Sequence, residues 1–234
     1  REHCFAELIS KSKSCDKLFV APGNSGTSLV AENLDISPTD FDLVKGAIVQ
    51  HNIQLVVVGP EDPLVRGIHD FIISDPILKG VKVIGPKQKA AQLEGSKDFA
   101  KNFLNRHNIP TAKHKTFTNR QFEEACEYID NNLPPYVLKA DGLAAGKGVL
   151  IIDNANQAKD ELYQMLVKSK FGVASSSVVI EEFLEGIELS CFVLTDGKNY
   201  NILPSAKDYK RIGEGDIGLN TGGMGAISPP PFLN

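Results

Sequence analysis

Short apolar runs alternate with helically spaced segments along the first hundred residues. "KLFVA" (17–21), "QLVVVG" (54–59) and "VKVIG" (81–85) are rich in β-branched residues, too short for helices, and end at Gly or Pro. Between them, "FDLVKGAIVQHN" (41–52) brings Phe41, Val44, Ile48 and Val49 near one helical face. "PLVRGIHDFIIS" (63–74) starts at Pro63, which a first helical turn tolerates. Strand, helix, strand, helix, strand predicts a parallel sheet covered by helices, and the unbroken "VVV" fits a buried parallel strand. A further helix is expected over 97–108, and "NIPTAKHKTF" (108–117) reads as a linker into new structure.

From residue 119 the pattern restarts. It predicts a helix (119–131), a strand (136–140), a glycine-rich loop, a strand (148–152), a helix (156–170), and strands at 177–183, 187–195 and 199–203. Beyond 204, "AKDYKRIGEGDIGLNTGGMGAISPPP" has six glycines, three prolines and little apolar periodicity, so it is expected to be loop. No internal repeat is visible.

Composition narrows the function classes. The 234 residues suit two small domains, and 42% apolar with 23% charged content is ordinary for a soluble globular protein. A net charge of −4 gives no basic field to attract nucleic acid. No apolar run approaches the roughly 20 residues of a membrane span, and "REHCFAELIS" is charged and short of apolar length for a signal peptide. Cys4, Cys15, Cys126 and Cys191 form no CxxC pair, so neither a zinc site nor a disulfide framework is expected, and a reducing, cytoplasmic setting follows. The five histidines are scattered and read as structural or surface residues.

Two segments carry candidate chemistry. "KADGLAAGKGV" (139–149) places Gly142, Gly146 and Gly148 between two strands, with spacing wrong for a Walker A loop and for G-x-G-x-x-G. Such a loop can fold over a ligand, its glycines letting backbone N–H groups approach phosphate oxygens. Lys147 adds charge, and Lys139 ends the preceding strand pointing an ammonium at the same phosphates. A hairpin loop with two solvated lysines is the plain structural alternative. "VVIEEFLEGIELS" (178–190) sets Glu181, Glu182, Glu185 and Glu188 around a turn at Gly186, where carboxylates can accept hydrogen bonds from an amino group or ribose hydroxyls. Its alternative is an edge strand guarded by charge.

Together the two segments resemble the ATP-grasp enzymes, which hold ATP between two α+β lobes. "GPEDPL" (59–64), "KADGLAAGKGV", "EEFLEGIELS" (181–190), "KDYKRIGEGDIGLNTGGMGA" (207–226), "REHCFAEL" and "APGNSGT" (21–27) narrow the likeness to the phosphoribosylamine–glycine ligase, or glycinamide ribonucleotide synthetase, family. The resemblance runs over the whole chain. It implies a ligase of purine biosynthesis that phosphorylates glycine with ATP and magnesium, then lets the amine of 5-phosphoribosylamine attack the acyl phosphate. Both glycine and ATP are anionic, so cations are needed. Lys97, Lys139 and Lys147, with Gly146 and Gly148, are expected around the phosphates. By analogy, Glu181 and the Glu182 carbonyl meet the adenine amino group, the Leu184 N–H a ring nitrogen, and Glu188 the ribose. Asn24, Gly26, Glu61 and Asp62 are assigned to the phosphoribosylamine side. Asp208, Lys210, Arg211, Asn220, Thr221, Gly222, Gly223 and Met224 are assigned to a wall for glycine and the acceptor, with Lys139, Asp208, Lys210 and Arg211 as the catalytic candidates. No metal ligand is assigned; the resemblance puts the magnesium ligands in a part of the family that follows "GAISPPP".

The expected architecture is α/β and α+β: a Rossmann-like parallel-sheet domain (1–96), a linker and start of the ATP-grasp core (97–118), a small lid lobe (119–186) and a partial core lobe (187–234). Relative to the family pattern it is incomplete at both ends, since members carry a strand and glycine-rich turn before "REH", and poor stability is expected of this polypeptide alone. Tyr209 stands where many members have His, and Leu219 where many have Pro. Two other readings compete: another ATP-grasp carboxylate–amine ligase, which should lack "NTGGMG" and "GPEDPL", and a non-catalytic nucleotide-binding remnant. A dehydrogenase would need G-x-G-x-x-G after the first strand, where "GNSG" stands. Partners are small molecules, with monomer and dimer both open.

Overall fold

The computed structural model describes residues 2–144, 147–215 and 217–233, and only the backbone of Leu219 and Asn220. The chain divides into two compact units, Arg1–His107 and Asn108–Asn234.

The first unit opens with α1 (Glu2–Ser10), an element the apolar pattern does not mark. β1 (Phe19–Val20) pairs in parallel with β2 (Glu32–Asn33). After α2 (Phe41–Gln50), β3 (Leu55–Val57) runs up to α3 (Glu61–Arg66) and α4 (Ile68–Ser74). β4 (Lys82–Ile84) then pairs in parallel with β3, and α5 (Gln88–Gly95) and α6 (Lys97–Arg106) follow. The expected parallel pairing is present, but as two separate two-stranded pieces.

The expected 63–74 helix is two helices. Gly67 sits at φ 98, a left-handed conformation that favours glycine and ends α3. Ile48, Leu64, Ile68, Ile72, Leu78 and Ala91 form this unit's core, with Phe41, Val44, Val56 and Val83 packed against it. Val49, placed by periodicity on the same face, is exposed instead. Side-chain caps explain two helix starts: Asp40 accepts from Leu43 N at 3.1 Å, and Ser96 from Phe99 N at 3.0 Å.

The second unit begins with a strand where a linker was expected. β5 (His114–Thr118) pairs antiparallel with β8 (Ser177–Glu182), because His114 to Thr118 alternate against a strand that needs a partner. α7 (Phe122–Asp130), β6 (Tyr136–Ala140), β7 (Val149–Ile152), α8 (Ala155–Leu166) and β8 (Ser177–Glu182) complete a sheet of order β5-β8-β6-β7. All its pairings are antiparallel. One face carries Phe117, Leu138, Ala140, Ile152, Val178 and Ile180 into a core with Ala125 and Ile129 of α7 and Ala158, Leu162 and Met165 of α8. Strand side chains alternate between faces, so the residues between these point to the other side.

A second sheet has the order β11-β10-β9. β9 (Ser190–Thr195) pairs with β10 (Tyr200–Gly213), and β10 with β11 (Ile217–Ile227). Within the stretch after 204, residues 205–213 and 217–227 are therefore strand, not loop, while 228–233 lie in no strand. An antiparallel ladder needs backbone donors and acceptors, which glycine supplies as well as any residue, and register shifts between Tyr209 and Gly213 absorb the irregular segment. Phe192 and Leu203 pair across β9 and β10, as do Val193 and Ile202 on the opposite face, and all four are exposed.

The β9–β10 turn is held by Asp196, whose carboxylate accepts from Lys198 N at 2.8 Å and Asn199 N at 2.7 Å. Those backbone donors pull its pKa from an ordinary 3.8 down to about 2. A depressed acid stabilises the fold above its unfolded pKa, and that contribution is lost as pH falls through the folded one. NMR titration should place Asp196 near 2, and Asp196→Asn should reduce the loss of turn stability between about pH 4 and 2. In the core, Leu162→Ala should cost about 2–5 kcal/mol in urea unfolding, whereas Leu133→Ala, at a side chain 90% exposed, should change little.

Candidate functional site

The face of the β5-β8-β6-β7 sheet turned away from α7 and α8 is unlike an ordinary solvent face. Val137 and Val179 are buried on it, and between them stand Lys139 and Glu181. Register explains their meeting. Val137 lies opposite Glu181 and Lys139 opposite Val179, so the lysine and the glutamate are diagonal neighbours on one face. Lys139 Nζ donates to Glu181 Oε2 at 3.0 Å. The glutamate side chain is 5% exposed and the lysine 28%. A buried carboxylate needs such a partner, because an unpaired ion in that setting is costly. His114 faces Glu181 from β5, and Thr116 Oγ1, buried without a hydrogen-bond partner, faces Val179. Val149 lies across β7 from Lys139. The valines, Thr116 and His114 are surroundings that motif reading passes over; strand alternation is the signal that could have found them.

Beside this pair the glycine-rich loop leaves β6. Ala140 N donates to Gly148 O at 2.8 Å, and Lys147 N to Ala144 O at 2.9 Å. Gly148 is required by close packing: a Cβ there would stand 2.8 Å from Ala144 Cβ and 3.1 Å from Ala140 Cβ. Lys147 is exposed. Gly146 lies outside the described residues.

Past β8, Glu182 turns back toward β5, and its Oε1 accepts from Lys113 N at 2.8 Å. Leu184 is exposed in the segment between β8 and β9. Glu188 accepts from Lys210 Nζ at 2.6 Å, and Asp208 Oδ2 stands 3.5 Å from the same ammonium. The Glu188 hydrogen bond, against opposing burial, raises the Lys210 pKa, and the charges of Glu188 and Asp208 add to it. Glu188, assigned to the ribose, thus forms one cluster with Asp208 and Lys210, assigned to the glycine and acceptor wall.

Arg211 is elsewhere. With Tyr209, Ile212, Gly213 and Met224 it lines a shallow cavity of about 400 Å³ near the end of the β10–β11 hairpin. Of the wall residues, Thr221 Oγ1 donates to Lys210 O at 2.7 Å and accepts from Gly223 N at 3.1 Å, which binds the hairpin to itself. Gly222 stands in open surroundings. Asn220 pairs with Arg211 through the backbone, and its side chain lies outside the described residues.

The remaining candidates belong to the first unit. Lys97 opens α6 behind its Ser96 cap. Asn24 Oδ1 accepts from Gly26 N at 2.8 Å and Thr27 N at 3.1 Å, and Asn33 Nδ2 donates to Asn24 O at 2.9 Å. The side-chain carbonyl of Asn24 thus serves its own turn. Gly26 backs on α1, since a Cβ there would approach His3 Nδ1 to 2.6 Å. Glu61 and Asp62 start α3 at the carboxyl end of β3, with Asp62 accepting from Arg66 Nε at 2.9 Å. His69 Nδ1 lies 2.6 Å from the Gly85 carbonyl, a structural contact. Among the described residues no helix is long and apolar enough to cross a membrane.

Residues 1–94 match the phosphoribosylglycinamide synthetase N domain, and residues 95–234 match its ATP-grasp (A) domain. The chain is 49% identical to a phosphoribosylamine–glycine ligase of Haemophilus influenzae over 100% of its own length and 53% of the relative. It is 48% identical to a chloroplastic phosphoribosylamine–glycine ligase of Arabidopsis thaliana, over 43% of that protein. The crystal structure of phosphoribosylamine–glycine ligase from Thermotoga maritima superposes with a TM-score of 0.77 at 33% identity, over 96% of this chain and 52% of that one. The chain thus spans about half the length of the relatives it matches. With the two family models together matching residues 1–234, the chain belongs to the phosphoribosylglycinamide synthetase family.

Proposed function

We propose that this chain carries the nucleotide side and part of the acceptor side of an ATP-dependent ligase. The reaction joins glycine to 5-phosphoribosylamine. The glycine carboxylate attacks the γ-phosphorus of ATP, releasing ADP and forming glycyl phosphate. The phosphoribosylamine nitrogen then attacks the acyl carbon, phosphate leaves, the nitrogen gives up a proton, and glycinamide ribonucleotide results. The observation that carries the reading is Lys139, held 3.0 Å from a buried Glu181 at the mouth of a glycine-rich loop.

Each residue has a task its chemistry suits. An ammonium has three N–H donors, so Lys139 can keep Glu181 and still meet a phosphate oxygen. Val137, Val149 and Val179 supply the apolar surface a purine base needs, and Glu181 and the Glu182 carbonyl supply acceptors for its amino group. The Leu184 N–H would serve the ring nitrogen. Glu188 can accept from ribose hydroxyls while bound to Lys210. Lys147, with the backbone of Gly146 and Gly148, and Lys97 add positive potential for the phosphates. Arg211 presents a planar fork suited to a carboxylate or phosphate in the hairpin cavity. Asn24, Gly26, Glu61 and Asp62 are assigned to the phosphoribosylamine side, with Glu61 a candidate for its hydroxyls or amine. Asn220, Thr221, Gly222, Gly223 and Met224 complete the wall. The resemblance implies magnesium-bound ATP. Among the described residues no three of His, Cys, Asp and Glu cluster closely enough to hold a metal.

In the full-length protein, ADP release with magnesium and ATP should require both glycine and 5-phosphoribosylamine. Release that ignores glycine points to another carboxylate substrate, and no release at all points to a nucleotide-binding remnant. Lys139→Met should lose ATP use and also about 1–3 kcal/mol of stability, because it removes a charged hydrogen-bond partner of the buried Glu181. Lys139→Met combined with Glu181→Leu should restore stability without restoring ATP use, measured by urea unfolding beside ADP release. Recovery of ATP use in the double variant would refute the assignment. Glu188→Gln removes the partner that raises the Lys210 pKa. A raised amine stabilises below its unfolded pKa and loses that effect as pH rises through the folded one, so the variant should bring Lys210 titration to lower pH by NMR.

A further inference from the structure

The two ends of the glycine-rich loop are held by different means. The returning end is held by the ladder itself, through Ala140 N to Gly148 O at 2.8 Å. The leaving end is held from outside that hairpin. Asp141 N donates to the Ser177 carbonyl at 3.1 Å, and Gly142 N donates to the Ala174 carbonyl at 3.0 Å. Ser177 Oγ donates to Asp141 Oδ2 at 3.3 Å.

Ala174 belongs to a single 3₁₀ turn, Gly172–Ser175, that takes no part in any strand ladder. The turn is tied to the core of its unit. Phe171 packs against the buried cluster between the sheet and α7 and α8. Phe171 N donates to Ser175 Oγ at 3.3 Å, and Ser175 Oγ donates to Gly172 O at 3.1 Å, with Ser175 fully buried. The contact with the loop is backbone on backbone: a Cβ added at Gly142 would stand 3.0 Å from Ala174 Cα.

We propose that the Gly172–Ser175 turn is a positioning element for the glycine-rich loop, fixing Asp141 and Gly142 so that the loop sets out from β6 in one direction. The inference rests on the reading of that loop as phosphate-binding. Ordering a flexible backbone costs conformational entropy, and residues fixed beforehand do not add to the cost of binding. Ser175 and Ser177 touch no nucleotide in this scheme and act through Asp141 and Gly142.

The test uses the full-length protein and four variants: Ser175→Ala, Ser177→Ala, Ser177→Thr and Gly142→Ala. Without nucleotide, the Asp141 and Gly142 amides should exchange slowly in the wild type. They should exchange about tenfold faster in Ser175→Ala and Gly142→Ala, while the Leu138 and Ile180 amides, which report an intact core, stay unchanged. The KM for ATP should rise about threefold to tenfold in Ser175→Ala, Ser177→Ala and Gly142→Ala with kcat within about twofold, and Ser177→Thr should behave as wild type. Fast exchange at Asp141 and Gly142 in the wild type would overturn the proposal. So would faster exchange in the variants with an unchanged KM. A wild type that uses ATP, with variants that use it equally well, defeats this inference alone. A wild type with protected amides but no ATP use defeats the ligase reading, and this inference falls with it.

Discussion

Glu181 stands on an inner strand of a four-stranded antiparallel sheet with almost none of its side chain in water. An ionised carboxylate in that position needs a partner, and Lys139 supplies it from the neighbouring strand. The pair therefore depends on register. A one-residue slip of β6 would turn Lys139 into the apolar core and Leu138 out of it. The pairing that packs Leu138 and Ile180 beneath α7 and α8 is the same pairing that places the ammonium beside the carboxylate at the loop mouth. Stability of the lobe and placement of its charges are one constraint.

That constraint divides the labour of the sheet. The helix-covered face is apolar at its centre, with Lys115 lying over the Phe117 and Tyr128 rings at its β5 edge, and it supplies the burial. The other face mixes buried valines with one ion pair, a histidine and a threonine hydroxyl that has no partner. Polar groups are costly to bury without purpose, so their concentration on one face beside a glycine-rich loop marks that face as the place to look for a ligand.

The β9-β10-β11 sheet has a different logic. Its apolar residues are exposed on both faces near β9, while the charges of Glu188, Asp208 and Lys210 cluster at the other end. A strand with apolar residues on both faces is suited to burial on both sides. The cluster draws together carboxylates and an amine that motif reading had assigned to ribose and to glycine. Arg211 is separated from them in the hairpin cavity.

Much of the architecture was legible in the residues. The runs at 54–59, 81–85, 136–140 and 177–183 became strands because β-branched clusters bounded by turn residues have few alternatives. The lysine-ended strand and the glycine-rich loop were visible for the same reason. Residues 206–227 were misread because apolar periodicity reports burial of a face, whereas a hairpin is built from backbone hydrogen bonds that glycine-rich sequence makes without displaying a pattern. β5 was hidden since its strand character comes from a partner more than fifty residues away. Gly67 was passed over as a helix break because a single glycine within a helical period does not declare its φ. By itself the sequence determined the local elements, the charges available and the family to which they belong. Only tertiary structure decided which charges meet, because the Lys139–Glu181 and Glu188–Lys210 contacts join residues far apart in the chain whose distance is set by strand register.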